Sequence, residues 1–132
     1  MKAIYAKAGA ILALIDPTYA AHGDWVLQAH AMDSTSCVAR HTDDDDISYQ
    51  YGLVLGDFDG GELITWGSDG QPHVLNVQNK IVKLDGRLPH QVTPITCGVR
   101  YACYFYKQYD RDLLAAAPLF EPACIVYERS AS

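Results

Sequence analysis

The feature that most constrains the fold of this chain is a succession of short apolar runs separated by turn signals. Between residues 25 and 106, runs rich in Val, Ile, Leu and aromatic residues alternate with Gly-, Asp- and Pro-containing turns. Such runs favour strands, because β-branched and aromatic side chains pack well on a pleated surface. Closely spaced strands with turns between them are typical of a sandwich or barrel. We therefore predict an all-β fold with a minor helical part, closed as a double-sheet jelly roll that hides most sheet edges.

The alternation of apolar and polar residues places the strands and turns along the chain. Hairpin turns are predicted at Asp59-Gly60-Gly61 and Asp85-Gly86, and a third turn at residues 96–98. A helix is predicted at residues 111–117, whereas residues 1–15 are alanine-rich and fit a helix or a strand equally well. The predicted strands cover residues 25–31, 37–40, 47–58, 62–66, 73–77, 79–84, 90–95, 99–106 and 124–127.

The length and charge of the chain limit its organisation and its partners. The 132 residues fit one domain, residues 1–132, and about half of them are hydrophobic (49%), as expected of a globular chain that can bury a core. The net charge is −6 and the pI is about 5.1. This acidic balance argues against a broad basic face that grips a phosphate backbone. A homodimer is possible, since a small sheet protein can pair through exposed edges.

Cysteine usage and the N-terminal segment bear on the compartment. The four cysteines, at positions 37, 97, 103 and 124, form no CxxC pair and no disulfide pattern. We interpret them as reduced thiols, mostly packed in the core of a cytoplasmic protein. A signal peptide is not expected, because Lys7 interrupts the first apolar run and Asp16-Pro17 ends it. No apolar run is long enough for a membrane span, so no membrane association is expected.

The residues best suited to chemistry are His41, Asp43, His90 and Arg100. Two imidazoles and one carboxylate form the ligand set of the 2-His-1-carboxylate triad, which leaves open positions on a non-haem Fe(II). Alternate residues of an extended strand point the same way, so His41 and Asp43 can reach one ion together. Arg100 follows His90 by ten residues and is predicted on the next strand, where its guanidinium can hold a carboxylate bidentately.

Asp43 is also the first of four consecutive aspartates, Asp43 to Asp46. An acidic run of this kind is usually a solvated loop, and we expect that environment for Asp44 to Asp46. Calcium binding by the run is a weak alternative, because an EF-hand loop requires ligands spaced over about twelve residues and a glycine at the sixth position.

Four motifs in order carry a resemblance to a known family. They are HTD at 41–43, GDFDGGELI at 56–64, LDGRLPH at 84–90 and TPITCGVRY at 93–101. This order resembles the Fe(II)- and 2-oxoglutarate-dependent dioxygenases, which share a double-stranded β-helix (jelly-roll) core. The pattern of HxD, a Gly-Gly-Glu/Asp-Leu hairpin, and a distal His with a following Arg or Lys is shared over about residues 37–107.

The resemblance assigns roles to individual residues. It implies that His41, Asp43 and His90 bind Fe(II) and that Arg100 binds the distal carboxylate of 2-oxoglutarate. The family often has a hydroxyl two residues after that arginine, where this chain has Ala102. Tyr49 or Tyr51, on the strand after HxD, is the expected substitute for this cofactor-binding hydroxyl.

The function implied by the resemblance is an oxygenase. With Fe(II), O2 and 2-oxoglutarate, such a protein hydroxylates or otherwise oxidises a substrate and releases succinate and CO2. The motifs resemble both the prolyl-hydroxylase-like and the TET/JBP-like branches, so the expected substrate is an amino acid, a peptide or another small molecule, or a nucleic-acid base. The alternative is a cupin-like metal-binding module or a degenerate, non-catalytic jelly roll. Arg100 discriminates between them, because a binding module has no need of an arginine at that spacing.

Other polar and aromatic residues have simpler interpretations. Glu62 is expected to be a turn residue and not a ligand. Arg40 and Arg87 could meet an anionic substrate but are expected to be solvated charges. Three histidines are interpreted as structural or surface residues, and four aromatic residues as packed on the sheet or core: His22, His30 and His73, and Trp25, Trp66, Tyr101 and Tyr104.

Overall fold

A computed structural model of the protein describes residues 2–21, 23–108 and 124–127. Two helices, α1 (Lys2–Ile15) and α2 (Pro17–Ala20), precede the strands. The strands are β1 (Val26–Met32), β2 (Val38–His41), β3 (Gln50–Leu55), β4 (Phe58–Gly60), β5 (Leu63–Trp66), β6 (Pro72–Leu75), β7 (Lys80–Leu84), β8 (His90–Val92), β9 (Ile95–Gly98), β10 (Arg100–Tyr106) and β11 (Cys124–Tyr127).

The strands form two main antiparallel sheets and one short pair. The larger sheet has the order β1-β10-β3-β7-β11, and the smaller one has the order β2-β8-β5-β6. Strands β4 and β9 pair separately. Side chains from both main sheets, such as Val54 and Val92, share one apolar core. The predicted all-β fold with a jelly-roll core is confirmed.

The two faces of the larger sheet have different neighbours. On the face turned away from the smaller sheet, Tyr51 and Phe105 pack against Leu12 of α1 and Tyr19 of α2 in a second apolar cluster. The opposite face carries the alternate residues of the same strands, among them Gln50 of β3. This alternation decides which side chains can reach the space between the sheets.

The N-terminal segment is helical, which settles the choice that its sequence left open. Helix α1 is rich in alanine, a strong helix former. Helix α2 begins after Asp16, whose side chain accepts a hydrogen bond from the backbone N–H of Tyr19 at 2.9 Å. Pro17 occupies the first helical position, where the absent N–H has no helical partner to lose. None of the helices described is both long and apolar enough to cross a bilayer.

The single strand predicted at residues 47–58 is wrong. Strand β3 ends at Leu55, and the chain turns at Gly56 before β4 begins. Gly56 has φ of +128°, and a Cβ there would lie 2.4 Å from the carbonyl oxygen of Val99. The turn therefore requires glycine both for its backbone conformation and for space.

The two predicted hairpins are also wrong, although both sites are turns. Strand β4 pairs with β9 and not with β5, while β7 and β8 lie in different sheets. The strand predicted at residues 90–95 ends at Val92, and residues 95–98 form β9 where a turn was predicted. Turn composition identified chain reversals correctly, but the partner of each strand depends on long-range packing. The helix predicted at residues 111–117 lies outside the described residues.

The expectation for the cysteines was wrong in part. All four are free thiols, but Cys37 and Cys97 are exposed, and Cys103 and Cys124 are half-buried. The apolar core is built instead from aliphatic and aromatic side chains. Burial raises the pKa of the Cys124 thiol to about 12.

Candidate metal centre

Two histidines meet on adjacent strands of the smaller sheet. His41 ends β2 and His90 begins β8, and the two are paired in the register of these strands. Their ring centroids are 4.3 Å apart. Asp43 follows two residues after His41, and the nearest donor atoms of the three side chains all lie within 4.8 Å of one another. In the described part of the chain, no other group of three such side chains is close enough to hold a metal ion.

Backbone hydrogen bonds orient both imidazoles. The Nδ1 atom of His41 lies 2.8 Å from the carbonyl oxygen of Ala39, and that of His90 lies 2.9 Å from the carbonyl oxygen of Leu88. A carbonyl can only accept, so each Nδ1 carries the proton that it donates. The Nε2 atoms therefore face Asp43, at 3.5 Å from Oδ1 for His41 and 3.3 Å from Oδ2 for His90. This arrangement is typical of metal-binding histidines, whose second nitrogen is held by a backbone or carboxylate acceptor.

The charges of Asp43 and His90 reinforce each other. Burial alone would raise the pKa of Asp43. The hydrogen bond and the charge of His90 lower it, and their effect prevails, so the net shift of this pKa is downward. Burial lowers the pKa of His90, but its bonds to Asp43 and to the Leu88 carbonyl outweigh burial, so the net shift is upward. Without a metal, each of these two residues thus favours the charged form of the other.

The loop that carries Asp43 is anchored by two neighbours. The backbone N–H of Asp43 donates to the carbonyl oxygen of Gly86 at 2.7 Å. The side-chain amide of Gln50 donates to Asp43 Oδ2 at 2.9 Å and to Asp46 Oδ2 at 3.2 Å. Glu62, as expected, does not join the group, because its carboxylate accepts from the Thr93 hydroxyl.

Asp46 corrects the expectation of a solvated acidic loop. Asp44 and Asp45 are exposed, but Asp46 is only 8% exposed. Burial, followed by the charge of Asp43, raises the pKa of Asp46 to about 7. Asp46 forms a backbone bridge to Gln108 and accepts a hydrogen bond from Gln50, and spacing along the acidic run gave no indication of this.

A cavity of about 780 Å³ lies between the two main sheets. His41, Asp43 and His90 line it from the side of the smaller sheet, and Gln50, Arg100 and Tyr104 line it from the larger sheet. The residues that the sequence assigned to the metal and to the cosubstrate carboxylate therefore line one cavity.

Arg100 is a buried cation without a carboxylate partner among the described residues. It is 1% exposed. Its guanidinium donates to the carbonyl oxygen of Gly61 at 3.2 Å, to the Met32 sulfur at 3.9 Å and to the Tyr104 hydroxyl at 3.3 Å. Burying a charge without an opposite charge is unfavourable, so this position suits an anionic ligand that enters the cavity.

Tyr104 is a site residue that sequence reasoning missed. It lies four residues after Arg100 on β10, on the same face of the strand, and its hydroxyl contacts the guanidinium. Gly52 is its partner on β3, and a Cβ there would lie 2.9 Å from the Tyr104 ring. The glycine thus makes room for the ring. The spacing of four residues along a strand was the available signal.

The structure does not bring Tyr49 and Tyr51 to the cavity. Their hydroxyls donate to Oδ2 of Asp16, at 3.3 Å and 2.7 Å respectively. They lie on the face of the larger sheet that the helices cover, where Tyr51 packs against Tyr19. Gln50, between them in sequence, is the residue of this stretch that points into the cavity.

The remaining polar residues have local partners. The guanidinium of Arg40 stacks 4.1 Å above the ring of Trp66, and Arg87 forms an ion pair with the fully buried Asp85. Arg40 is nevertheless exposed, as expected, whereas Arg87 is not the solvated charge that was expected. His73 pairs with Asp69 at the surface, as a surface histidine would. His22 lies outside the described residues.

A comparison with protein-family models finds none that matches the chain. A search of curated proteins finds similarity to a PKHD-type hydroxylase of Pseudomonas putida (strain W619), with 39% identity over 59 residues. The match covers 42% of this chain and 26% of the relative. The chain thus matches about a quarter of that protein's length.

Solved structures share the fold. An oxidoreductase of the 2OG-Fe(II) oxygenase family from Burkholderia pseudomallei matches with a TM-score of 0.54 and 20% identity, over 62% of this chain and 42% of that one. A prolyl-4-hydroxylase of Pseudomonas putida matches with a TM-score of 0.54 and 23% identity, over 65% and 53% of the two chains. NgTET1, solved in complex with 5mC DNA, matches with a TM-score of 0.52 and 18% identity, over 62% and 33%.

The fold and the site define a class of protein: a jelly roll with a His-Asp-His group and a buried arginine in one cavity. The curated relative adds sequence similarity to a hydroxylase, and the solved structures show the shared fold. Together they confirm the resemblance of this chain to the Fe(II)/2-oxoglutarate-dependent dioxygenase superfamily. Both branches named from the motifs, prolyl-hydroxylase-like and TET-like, are represented among the structures.

Proposed function

We propose that this protein is an Fe(II)- and 2-oxoglutarate-dependent oxygenase. In this proposal His41, Asp43 and His90 bind Fe(II), and Arg100 binds the distal carboxylate of 2-oxoglutarate. The reaction hydroxylates or otherwise oxidises a substrate with O2 and releases succinate and CO2. The proposal rests on the family resemblance together with the geometry of the described residues.

The observation that carries the proposal is the position of Arg100. A metal-binding module needs the histidines and the aspartate, but it does not need a buried, unpaired guanidinium in the same cavity. Arg100 is 1% exposed and has no carboxylate within ion-pair distance among the described residues. A bidentate contact with an incoming carboxylate would satisfy it, and charge-assisted hydrogen bonds of this kind contribute roughly 1.5–3 kcal/mol each.

The donor set fits iron. Imidazole and carboxylate ligands with open positions suit non-haem Fe(II), which supplies the oxygen chemistry when bound with 2-oxoglutarate. The protein residues hold and orient the ligands. The Ala39 and Leu88 carbonyls fix the imidazole tautomers. Tyr104 offers a hydroxyl beside Arg100 as a further hydrogen-bonding group for the cosubstrate carboxylate.

The cavity also bears on the substrate. Asp44 and Asp45 line it in addition to the proposed ligand Asp43 and the buried Asp46, and the whole chain carries a charge of −6. These charges repel a phosphate backbone. We therefore favour an amino acid, a peptide or another small molecule over a nucleic-acid base.

An anaerobic titration tests the proposal. The metal-free protein is titrated with Fe(II) and then with 2-oxoglutarate, and the visible charge-transfer band of the chelate is recorded. His41→Ala and Arg100→Ala are measured in parallel. We expect the band in the wild type, no band in His41→Ala, and much weaker 2-oxoglutarate binding with nearly unchanged metal binding in Arg100→Ala.

Two results would contradict the proposal in different ways. Fe(II) binding without a band in the wild type would favour the cupin-like or non-catalytic alternative and show that Arg100 was misinterpreted. Absence of any metal binding would mean that the His-Asp-His group is not a metal site.

A further inference from the structure

We propose that Gln50 is a positioning residue that fixes the carboxylate of Asp43 for metal binding. This inference rests on the proposed function, because it concerns the proposed metal ligand Asp43. Gln50 was not among the residues that the motifs single out. It has no place in the HxD, Gly-Gly or His/Arg motifs, and it contacts no other proposed ligand directly.

The strand places Gln50 in the cavity. It is the first residue of β3 and lies opposite Leu84, the last residue of β7. The chain leaves β7 directly into Asp85 and Gly86, so Gln50 lies beside the turn that anchors the Asp43 loop. Gln50 is 6% exposed, and a buried amide of this kind requires hydrogen-bond partners.

The hydrogen bonds of Gln50 identify its role. Its amide nitrogen lies 2.9 Å from Asp43 Oδ2 and 3.2 Å from Asp46 Oδ2. The Asp43 carboxylate can only accept hydrogen bonds, so the amide group that faces it at 2.9 Å is the NH2 and not the carbonyl oxygen. One neutral side chain thus donates to both carboxyl groups and separates them without adding charge.

The space around this contact is closed. A Cβ at position 86 would lie 2.4 Å from the Gln50 amide nitrogen and 2.6 Å from Asp43 Oδ2. Glycine at this position lets the amide and the carboxylate approach the turn, while the Gly86 carbonyl holds the Asp43 backbone N–H at 2.7 Å. The loop is therefore fixed at its backbone by Gly86 and at its side chain by Gln50.

The two carboxylate oxygens of Asp43 have different neighbours. Oδ2 accepts from Gln50, whereas Oδ1 faces His41 Nε2 at 3.5 Å and accepts no amide donor. Removing the amide would allow the carboxylate to rotate and would leave Oδ2 without that donor. Outer partners of metal ligands typically change metal affinity by about 10–100-fold, and we expect a loss of this size.

The test is Co(II) affinity of the full chain, measured by absorption titration of the metal-free protein. Gln50→Leu removes the amide at similar volume, and Gln28→Leu is the matched control, because Gln28 lines the same cavity without a contact to Asp43. We expect Gln50→Leu to weaken Co(II) binding by about 10–100-fold and Gln28→Leu to leave it unchanged. If Gln50→Leu does not fold, Gln50→Asn retains the amide but withdraws it from Asp43, and a smaller loss in the same direction is expected.

Gln50→Leu is also combined with two other substitutions, and the Co(II) affinity of these double variants distinguishes a positioning role from a merely structural one. In Asp43→Ala, Gln50→Leu should cause no additional loss of Co(II) affinity, because the group that it positions is gone. In the Asp46→Asn background, Gln50→Leu should cause the full loss of Co(II) affinity, about 10–100-fold. Equal Co(II) affinity in the wild type and Gln50→Leu, or the same loss in the Asp43→Ala background, would overturn this inference alone. A wild type that binds no Co(II) would overturn the proposed function and this inference together.

Discussion

The hydroxyl of Tyr104 lies 3.3 Å from the Arg100 guanidinium, one side chain beyond Ala102 on the same face of β10. Under the proposed function, this hydroxyl would take the place of the one that the family pattern has two residues after the arginine. Because the guanidinium donates to the phenolic oxygen, the phenolic proton remains available for a carboxylate oxygen.

Tyr104→Phe should accordingly weaken 2-oxoglutarate binding by about threefold to tenfold, the effect of one hydrogen bond. Metal affinity should not change, because Tyr104 contacts none of the proposed ligands. The measurement is a 2-oxoglutarate titration of the anaerobic Fe(II) protein. Tyr106→Phe, two residues further on the same face, serves as the control, and an equal loss in both variants would contradict a specific role for Tyr104.

Metal affinity should rise with pH above 6.5. The pKa of His90 is raised above its usual 6.5, so the metal-free site keeps its proton up to a higher pH and the metal must displace it. Below the raised pKa, the apparent affinity should increase by about tenfold per pH unit and then level off. Co(II) titrations of the wild type in several buffers test this. A pH-independent affinity in the wild type would be inconsistent with the ion pair.

Asp46→Asn should stabilise the metal-free protein more at pH 8 than at pH 5. The folded-state pKa of Asp46 is raised to about 7, mainly by burial, so ionising the carboxyl opposes folding. That penalty is absent below the unfolded pKa of about 4 and grows as the pH rises to 7. Thermal unfolding of both proteins with a chelator present checks the prediction. A lower melting temperature of Asp46→Asn at pH 8 would show that the ionised carboxyl is stabilising.

Asp16 and Tyr51 should matter for stability and not for cosubstrate binding. Asp16→Ala removes the cap of α2 and the acceptor of two tyrosine hydroxyls, which should lower the free energy of unfolding by roughly 1–3 kcal/mol. Tyr51→Phe should lower it by about 1 kcal/mol. Urea unfolding at pH 7 measures both, with Tyr101→Phe as a control because Tyr101 is 54% exposed.

The contribution of Asp16 to the free energy of unfolding should depend on pH in a definite direction. Burial alone would raise the pKa of Asp16. Hydrogen bonds from the Tyr19 N–H and from the hydroxyls of Tyr51 and Tyr49 lower it, and the net shift of this pKa is downward. Its contribution is therefore present above the unfolded pKa of about 4 and is lost as the pH falls through the folded value. Destabilisation by Asp16→Ala that persists unchanged at pH 2 would contradict this account.

The parts of the site that were predictable from sequence depend on local spacing. His41 and Asp43 are two residues apart, and His90 and Arg100 both lie on predicted strands, so their grouping followed from the motifs. Tyr49 and Tyr51 lie on the face of the larger sheet opposite to that of Gln50, which lines the cavity. A shift of the pairing register by one residue moves every side chain of a strand to the other face, and sequence alone does not fix that register.

The pairing of strands was less predictable than their existence. Turn composition at Gly60-Gly61 indicated a chain reversal, and both glycines have positive φ (+77° and +65°). It did not indicate that β4 pairs with β9, more than thirty residues away. Asp46 likewise forms a bridge to Gln108, a residue more than sixty positions away whose proximity is a result of folding and not of local sequence.

The proposed metal ligands and the proposed carboxylate anchor belong to opposite sheets. The distance between them is therefore set by the aliphatic layer that both sheets share, including Val54 on one side and Leu63 and Val92 on the other. Removing volume from this layer would leave each group of residues intact while changing their separation. A Val92→Ala variant could then bind metal and 2-oxoglutarate separately and still turn over slowly. In this molecule, catalytic alignment would depend on aliphatic side chains that supply neither a metal ligand nor a hydrogen bond to the cosubstrate.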